Sequence, residues 1–466
     1  MDRQQEFKDR AAKVAELFCS IGRAKPVKIV SHFDADGISA CAIIIKAMNI
    51  LGYAYNATIV KQLTQGVVYD LSHDKADTII FCDMGSGEID RIAEILKGKQ
   101  IFIIDHHRIS GSTSDVVLLN PEQFGISGSK ELSASGAAYF LYRQIAKKKN
   151  TAHIALVGAI GDYQEHNGLS GFNKEILEDA KSQGLVKVAE GLRISCSESA
   201  LINKALEFSL DPLIPGISGS EASAVKFLQE LTVGKQGYRW KKFSELGEKE
   251  AKIIASAVIE KRRGVDKFED IFGPVYFLPK EKNEAMKNAA EYANLLDACG
   301  RMEKASVGLG ACLGDETSKM RALSILNQYK RELLENFQWF DKARKNRDST
   351  VIEEKGYVII NAKSRIRDTM LGALATVLTS SPEYAKGKLI MTLGYDADMI
   401  KVSLRAAGKL NVDLKRILEL MVLPVKGTCG GHKNAAGGRL EKGREEEFTE
   451  NAKHVLEKFS AEETVS

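Results

Sequence analysis

The sequence predicts an α/β protein with an N-terminal parallel-sheet lobe, a helical insertion and a smaller C-terminal α/β lobe. Three observations predict it. The first 165 residues alternate short apolar strands with longer helical segments, as in a parallel sheet covered on both faces. From about 170 to 345 the chain turns mostly helical and highly charged. From about 350 the strand signals return. The expected domains are 1–190, then 191–345 as insertion and linker, then 346–466.

Each element has its own signal. MDRQQEFKDR opens a charged helix and has no signal-peptide core. Apolar strands are expected at 27–31, 58–60, 78–82, 101–104 and 116–119. Helices are expected at 37–51, 88–96, 134–147 and 152–160. In the middle, a Gly/Ser/Pro-rich break falls at 211–219, and a charged helix spans about 319–347. Residues 235–267 hold ten Lys/Arg against five Asp/Glu, with Tyr238 and Trp240 interleaved. Such a stretch can track a nucleic-acid backbone, and equally well be a solvated helix face. Strands at 357–360, 389–393 and 399–404 build the last lobe, followed by glycines at 427, 430, 431, 437 and 438.

Composition excludes several classes. Of 466 residues, 44% are hydrophobic and 27% charged, which rules out a disordered chain, a collagen-like fibre or a disulfide-stapled miniprotein. No apolar run approaches the roughly 18–20 residues of a membrane span, so no membrane partner is expected. None of the seven cysteines forms a CxxC pair, so neither a structural zinc nor a disulfide framework is expected, and the compartment reads as the reducing cytoplasm. The net charge is only +4, so any nucleic-acid contact must come from local patches.

Four clusters carry the chemistry, near the ends where open α/β sheets bind ligands. His32, Asp34 and Asp36 alternate just past a strand, and in an extended segment they share one side. Carboxylates so close repel unless a cation sits between them, and Gly37 then permits a tight turn. Asp83 follows an apolar strand, Asp105-His106-His107 follows another, and Asp162 ends an apolar helix. Asp83 or Asp162 alone would read as a cap or turn residue; the joint pattern does not. Five carboxylates with three imidazoles suit Mn²⁺ or Mg²⁺. They suffice for two ions sharing a bridging carboxylate, the usual device for in-line attack at phosphorus.

These motifs resemble the DHH phosphoesterase superfamily, named for the triplet at 105–107. Ser403-Leu404-Arg405 and Gly430-Gly431-His432 resemble the substrate signature of the associated DHHA1 domain. The length, the insertion and the segment at 291–302 look most like the archaeal RecJ-like nucleases, also called GINS-associated nuclease. The resemblance covers the first 165 and the last 120 residues well and the middle loosely. It implies that His32, Asp34 and Asp83 hold one metal, and that Asp36, Asp83, His106 and Asp162 hold the other, with Asp83 bridging. It implies that His107 contacts the scissile phosphate, and that Asp105 orients a ligand histidine or ligates directly. Asp36 is counted with these two among the catalytic residues. Arg405, Gly430, Gly431 and His432 would grip substrate phosphates in a cleft between the lobes. His166 reads as a surface histidine.

The implied activity is a two-metal exonuclease that hydrolyses single-stranded DNA or RNA to mononucleotides in replication or repair. A small-substrate phosphodiesterase, of oligoribonuclease or cyclic-dinucleotide type, is the first alternative; the large insertion argues for a polymer or a protein partner instead. A replisome scaffold that binds the GINS complex and the replicative helicase is the second. No motif residue is missing, in contrast to the catalytically dead eukaryotic helicase subunit of the superfamily.

Overall fold

The computed structural model describes residues 2–166, 168–194, 196, 198–263, 271–384, 387–408, 410, 412–432 and 435–462. The chain divides into two compact units, one of residues 1–190 and 274–327, the other of 191–273 and 328–466.

In the first unit, helix α1 (Arg3–Cys19) precedes strand β1 (Val27–His32). Then come α2 (Ala35–Leu51), β2 (Tyr55–Val60), α3 (Gln65–Ser72), β3 (Thr78–Cys82), α4 (Ile89–Ile95), β4 (Gln100–Ile104) and β5 (Val116–Leu119). Helices α5 (Ala134–Ala146), α6 (Ala152–Gly161) and α7 (Gly171–Ser182) follow. The five strands form one parallel sheet in the order β2-β1-β3-β4-β5. Every residue of β3 is buried, which is why it reads as an unbroken apolar run rather than an alternating one. Strand order turns around at β1, whose neighbours are β2 and β3, so the crevice at their carboxyl ends is a topological switch point. Helix α2 is buried nearly all round between α5 and α6, which its Gly, Ala, Ser and Cys residues allow.

The stretch 191–345 is not one insertion. Helix Ala289–Arg301 packs on α2 and α6, and helix Ala305–Leu313 packs on α2, so both belong to the first unit. An amphipathic helix must bury its apolar face, but its sequence does not name the element that covers it.

In the second unit, residues 191–273 have a core of their own, including Leu192, Ile202, Phe227, Ile254 and Ile271. In the basic stretch, Arg239 pairs with Glu245, Lys241 with Glu250, Lys252 with Glu248 and Arg263 with Glu260. Lys235 lies over the Trp240 ring at 4.9 Å. These cations are matched internally, as on a solvated surface; residues 264–267 of that stretch lie outside the described residues. The C-terminal part carries a six-stranded mixed sheet, with Val351–Glu353, Tyr357–Asn361, Lys388–Asp396, Met399–Ala407, Ala435–Glu441 and Thr428–His432 side by side. Its strands pair antiparallel except Tyr357–Asn361 with Lys388–Asp396. Among the described residues, no helix is long and apolar enough to cross a membrane.

Candidate metal centre

Three adjacent strand ends build the centre. His32 ends β1, Asp83 follows β3, and Asp105, His106 and His107 follow β4. Asp34 is the N-cap of α2; one oxygen accepts the Gly37 N–H at 3.0 Å and the other lies 2.8 Å from His32 Nδ1. The expectation of an extended segment through Asp36 is corrected here, because α2 already begins at Ala35 and Asp36 lies in its first turn. Gly37 is not a turn residue either. It sits inside the helix, where a Cβ would come within 2.5 Å of the His32 carbonyl oxygen.

Asp83 stands at the junction. It is 3% exposed and holds φ +59°, in the left-handed region that aspartate tolerates better than most residues. Oδ2 is 3.3 Å from His32 Nδ1, and Oδ1 is 3.3 Å from His106 Nε2 and 3.7 Å from His107 Nδ1. Asp162, the C-cap of α6, brings Oδ2 to 3.2 Å from His106 Nε2. Asp36 accepts the N–H groups of Ala134 and Ser135 at the start of α5, at 2.8 and 3.1 Å. A carboxylate has about four lone-pair positions, so two remain for a cation. All five carboxylates and all three imidazoles therefore come together, in three overlapping groups that share Asp83 and His106.

Two atoms test the fit of a cation. His32 Nδ1 and Asp83 Oδ1 are buried without a hydrogen bond. Carboxylate oxygens lie at 2.8 and 3.3 Å from Nδ1 but off the direction a ring N–H would take. Buried polar atoms are rarely left so, and a shared cation would satisfy both. The residues fit hard divalent ions with mixed oxygen and imidazole ligands.

Protons stand in for that charge. Burial pushes His32 down, but Asp34 and Asp83 more than offset it and hold the imidazole well above its usual value. Burial likewise opposes a charge on His106, and Asp162 and Asp83 outweigh it, so this imidazole also stays protonated far above the ordinary range. Burial, then the Asp83 charge, pushes Asp36 up to about 6. Burial raises Asp162 well above the usual carboxylate range; Asp36 and Asp83 add to this, against His106.

Surrounding groups aim the ligands. His106 Nδ1 lies 2.6 Å from the Gly128 carbonyl oxygen, so Nδ1 carries a proton and Nε2 faces the carboxylates. Gly128 must be glycine, since a Cβ there would lie 1.9 Å from the His106 carbonyl oxygen. Gln164 donates to the same Gly128 oxygen at 2.9 Å. Asp105, fully buried, accepts from Ser86 N (2.9 Å), His106 N (2.8 Å), His107 N (3.3 Å) and His107 Nδ1 (2.7 Å). Burial works against its charge, yet His107, His106 and the Ser86 N–H hold it well below the usual range. Asn120 donates to Ser86 Oγ and to the His107 carbonyl, both at 2.8 Å. Asp297 accepts the Ala35 N–H at 2.8 Å.

Asn120, Gly128, Gln164 and Asp297 were not legible as site residues. Asn120 alone left a signal, a polar residue directly after an apolar strand, as at Asp83 and Asp105. The four C-terminal site residues belong to the other unit. Arg405 donates to the carbonyls of Leu404 and Ala436 at 3.0 and 3.4 Å. Gly430 and Gly431 lie in the edge strand Thr428–His432; a Cβ on Gly430 would meet open space, and one on Gly431 would lie 2.3 Å from the Ala435 carbonyl oxygen. His432 ends that strand, and its side chain lies outside the described residues.

This switch-point crevice of an α/β sheet gathers carboxylates and imidazoles that could hold divalent cations. The chain matches the DHH family, N-terminal domain, over residues 26–161, the DHH-CID domain over 197–269 and the DHHA1 domain over 355–458. The chain carries a DHH N-terminal domain and a DHHA1 domain. An uncharacterized protein of Methanocaldococcus jannaschii is 28% identical over 92% of this chain and 93% of its own length. A putative SPbeta prophage-derived single-strand DNA-specific exonuclease of Bacillus subtilis is 24% identical over 48% of this chain and 40% of its own. Among solved structures, exonuclease RecJ bound to manganese superposes with a TM-score of 0.56 at 15% identity, covering 97% of this chain and 94% of that one. CDC45 of Entamoeba histolytica does so with a TM-score of 0.64 at 10% identity, covering 97% of each. At such identities these two likenesses establish the fold.

Proposed function

We propose that the chain is a metal-dependent exonuclease that hydrolyses phosphodiester bonds of single-stranded DNA or RNA to mononucleotides, using two Mn²⁺ or Mg²⁺ ions. One observation carries the reading: five carboxylates and three imidazoles converge at one sheet end, with His32 Nδ1 and Asp83 Oδ1 buried and unbonded. On this reading His32, Asp34 and Asp83 hold one ion, and Asp36, Asp83, His106 and Asp162 hold the other. Bound there, the ions would acidify a water and neutralise charge developing on phosphorus.

The chain's own residues do the rest. The Gly128 carbonyl holds the Nδ1 proton of His106, so Nε2 is the nitrogen that would give up its proton and offer a lone pair to an ion. Asp105 takes His107 Nδ1–H, so Nε2 is the ring atom that meets a phosphate oxygen. Burial pushes His107 down, but Asp105 outweighs it and raises the imidazole, which therefore offers a proton there. The guanidinium of Arg405 and the backbone at Gly430, where a side chain would meet nothing, suit a phosphate grip with His432.

The test is digestion of end-labelled single strands with Mn²⁺. Asp83→Ala should abolish it. Retained activity would sink the site assignment, and a wild-type chain inert on strands and dinucleotides alike would sink the function. A scaffold role has separate support in residues 191–273, which have a core of their own and no part in the metal ligand set among the described residues. Co-purification with the GINS complex, lost on deleting 197–269, would establish it.

A further inference from the structure

The turn that closes α6 holds a residue that its geometry does not favour. Gln164 N–H bonds to the Ala159 carbonyl at 3.0 Å, and Tyr163 N–H bonds to the Ile160 carbonyl at 2.9 Å. This is the paired pattern that ends many helices, in which the left-handed position is usually glycine. Here it is Tyr163, with φ +58°. Among the described residues nine non-glycine residues have positive φ, and Tyr163 is the one aromatic. A bulky side chain in that region is a genuine outlier, and such outliers cluster at ligand sites.

The two neighbours of Tyr163 explain why the turn is there. Asp162 faces His106 at 3.2 Å, and Gln164 reaches the Gly128 carbonyl that also orients His106. Glycine would serve both needs without strain. Tyr163 instead places a ring that is 53% exposed one residue from a candidate ligand, tilted 43° against the His166 ring at 5.1 Å. An exposed aromatic face beside a phosphodiester-cleaving centre matches the flat face of a nucleobase, and stacking tolerates any base.

We propose that Tyr163 is a substrate-positioning residue that stacks on the nucleobase next to the scissile phosphate. The proposal rests on the nuclease reading and names the part of the substrate, beyond its phosphates, that the site recognises. It makes the centre selective for base-bearing phosphodiesters. His166, read from sequence as a surface residue, is the ring beside it.

The test compares kcat and KM of wild type, Tyr163→Phe and Tyr163→Ala in the full chain. The substrates are an oligothymidylate and the same strand with an abasic tetrahydrofuran residue at either end. Wild type should have a KM about 5- to 150-fold lower for the base-bearing strand. Tyr163→Phe should keep that preference, and in Tyr163→Ala the two KM values should converge with kcat little changed. A wild type indifferent to the missing base, or an alanine variant that keeps the preference, would overturn the stacking role while leaving the nuclease intact. A wild type that cleaves neither strand would instead refute the nuclease reading; fluorescence anisotropy of both strands without cleavage then still decides the base preference.

Discussion

Gly128→Ala perturbs the group that orients a candidate ligand while leaving every ligand side chain in place. The added Cβ would fall 1.9 Å from the His106 carbonyl oxygen, where real contacts stay beyond about 3 Å, so the backbone must part by roughly 1 Å. The Gly128 carbonyl, 2.6 Å from His106 Nδ1 and 2.9 Å from Gln164 Nε2, moves with it. Loss of each buried hydrogen bond costs about 1–3 kcal/mol. Overpacking costs about 1–3 kcal/mol more in stability. Loss of an outer partner of a ligating histidine lowers metal affinity about 10–100-fold. Calorimetric titration with Mn²⁺ measures the affinity, and a thermal melt checks that the variant is folded. A folded Gly128→Ala that binds Mn²⁺ within twofold of wild type would refute the idea that this carbonyl sets the ligand.

Three further outcomes follow from the same contacts. Mn²⁺ affinity should fall as pH drops through about 6, because Asp36 then binds a proton that the cation must displace; each displaced proton contributes about tenfold per pH unit. Above pH 6 affinity should keep rising while the raised imidazoles of His32 and His106 give up theirs, and a titration flat from pH 5 to 8 would contradict this. Asp297→Ala removes the acceptor of the Ala35 N–H and should cost about 1 kcal/mol in a denaturant melt, as loss of a helix cap does. Tyr163→Gly relieves a left-handed cost of about 1–2 kcal/mol against a chain-entropy cost of about 0.5–1 kcal/mol, so its melting temperature should not fall.

The parallel sheet was legible because buried strands such as Thr78–Cys82 are unbroken apolar runs, each ending in a polar residue that sheet chemistry places at the ligand edge. His32, Asp83 and Asp105-His106-His107 stood out for the same reason, whereas Asp162 ends an apolar helix. The short helix Gln65–Ser72 was not, since eight residues hold too little periodicity to stand out. Long-range contacts left no trace either. That Gly128 closes over His106, 22 residues away, or that Asp297 caps a helix 262 residues earlier, is decided by packing. Helix Ala289–Arg301 is amphipathic, but only the fold shows that α2 and α6 cover its apolar face. Tyr163 was invisible in sequence because strain belongs to φ, not to residue type.

If the strand-end cluster holds divalent cations, Asp83 is the carboxylate they share. Calorimetric titration of Mn²⁺ into the metal-free full chain, beside Asp83→Ala, tests it most directly. Wild type should take up two ions per chain with release of protons, and the variant should lose that binding. An Asp83→Ala chain that takes up Mn²⁺ with wild-type affinity and stoichiometry would contradict it.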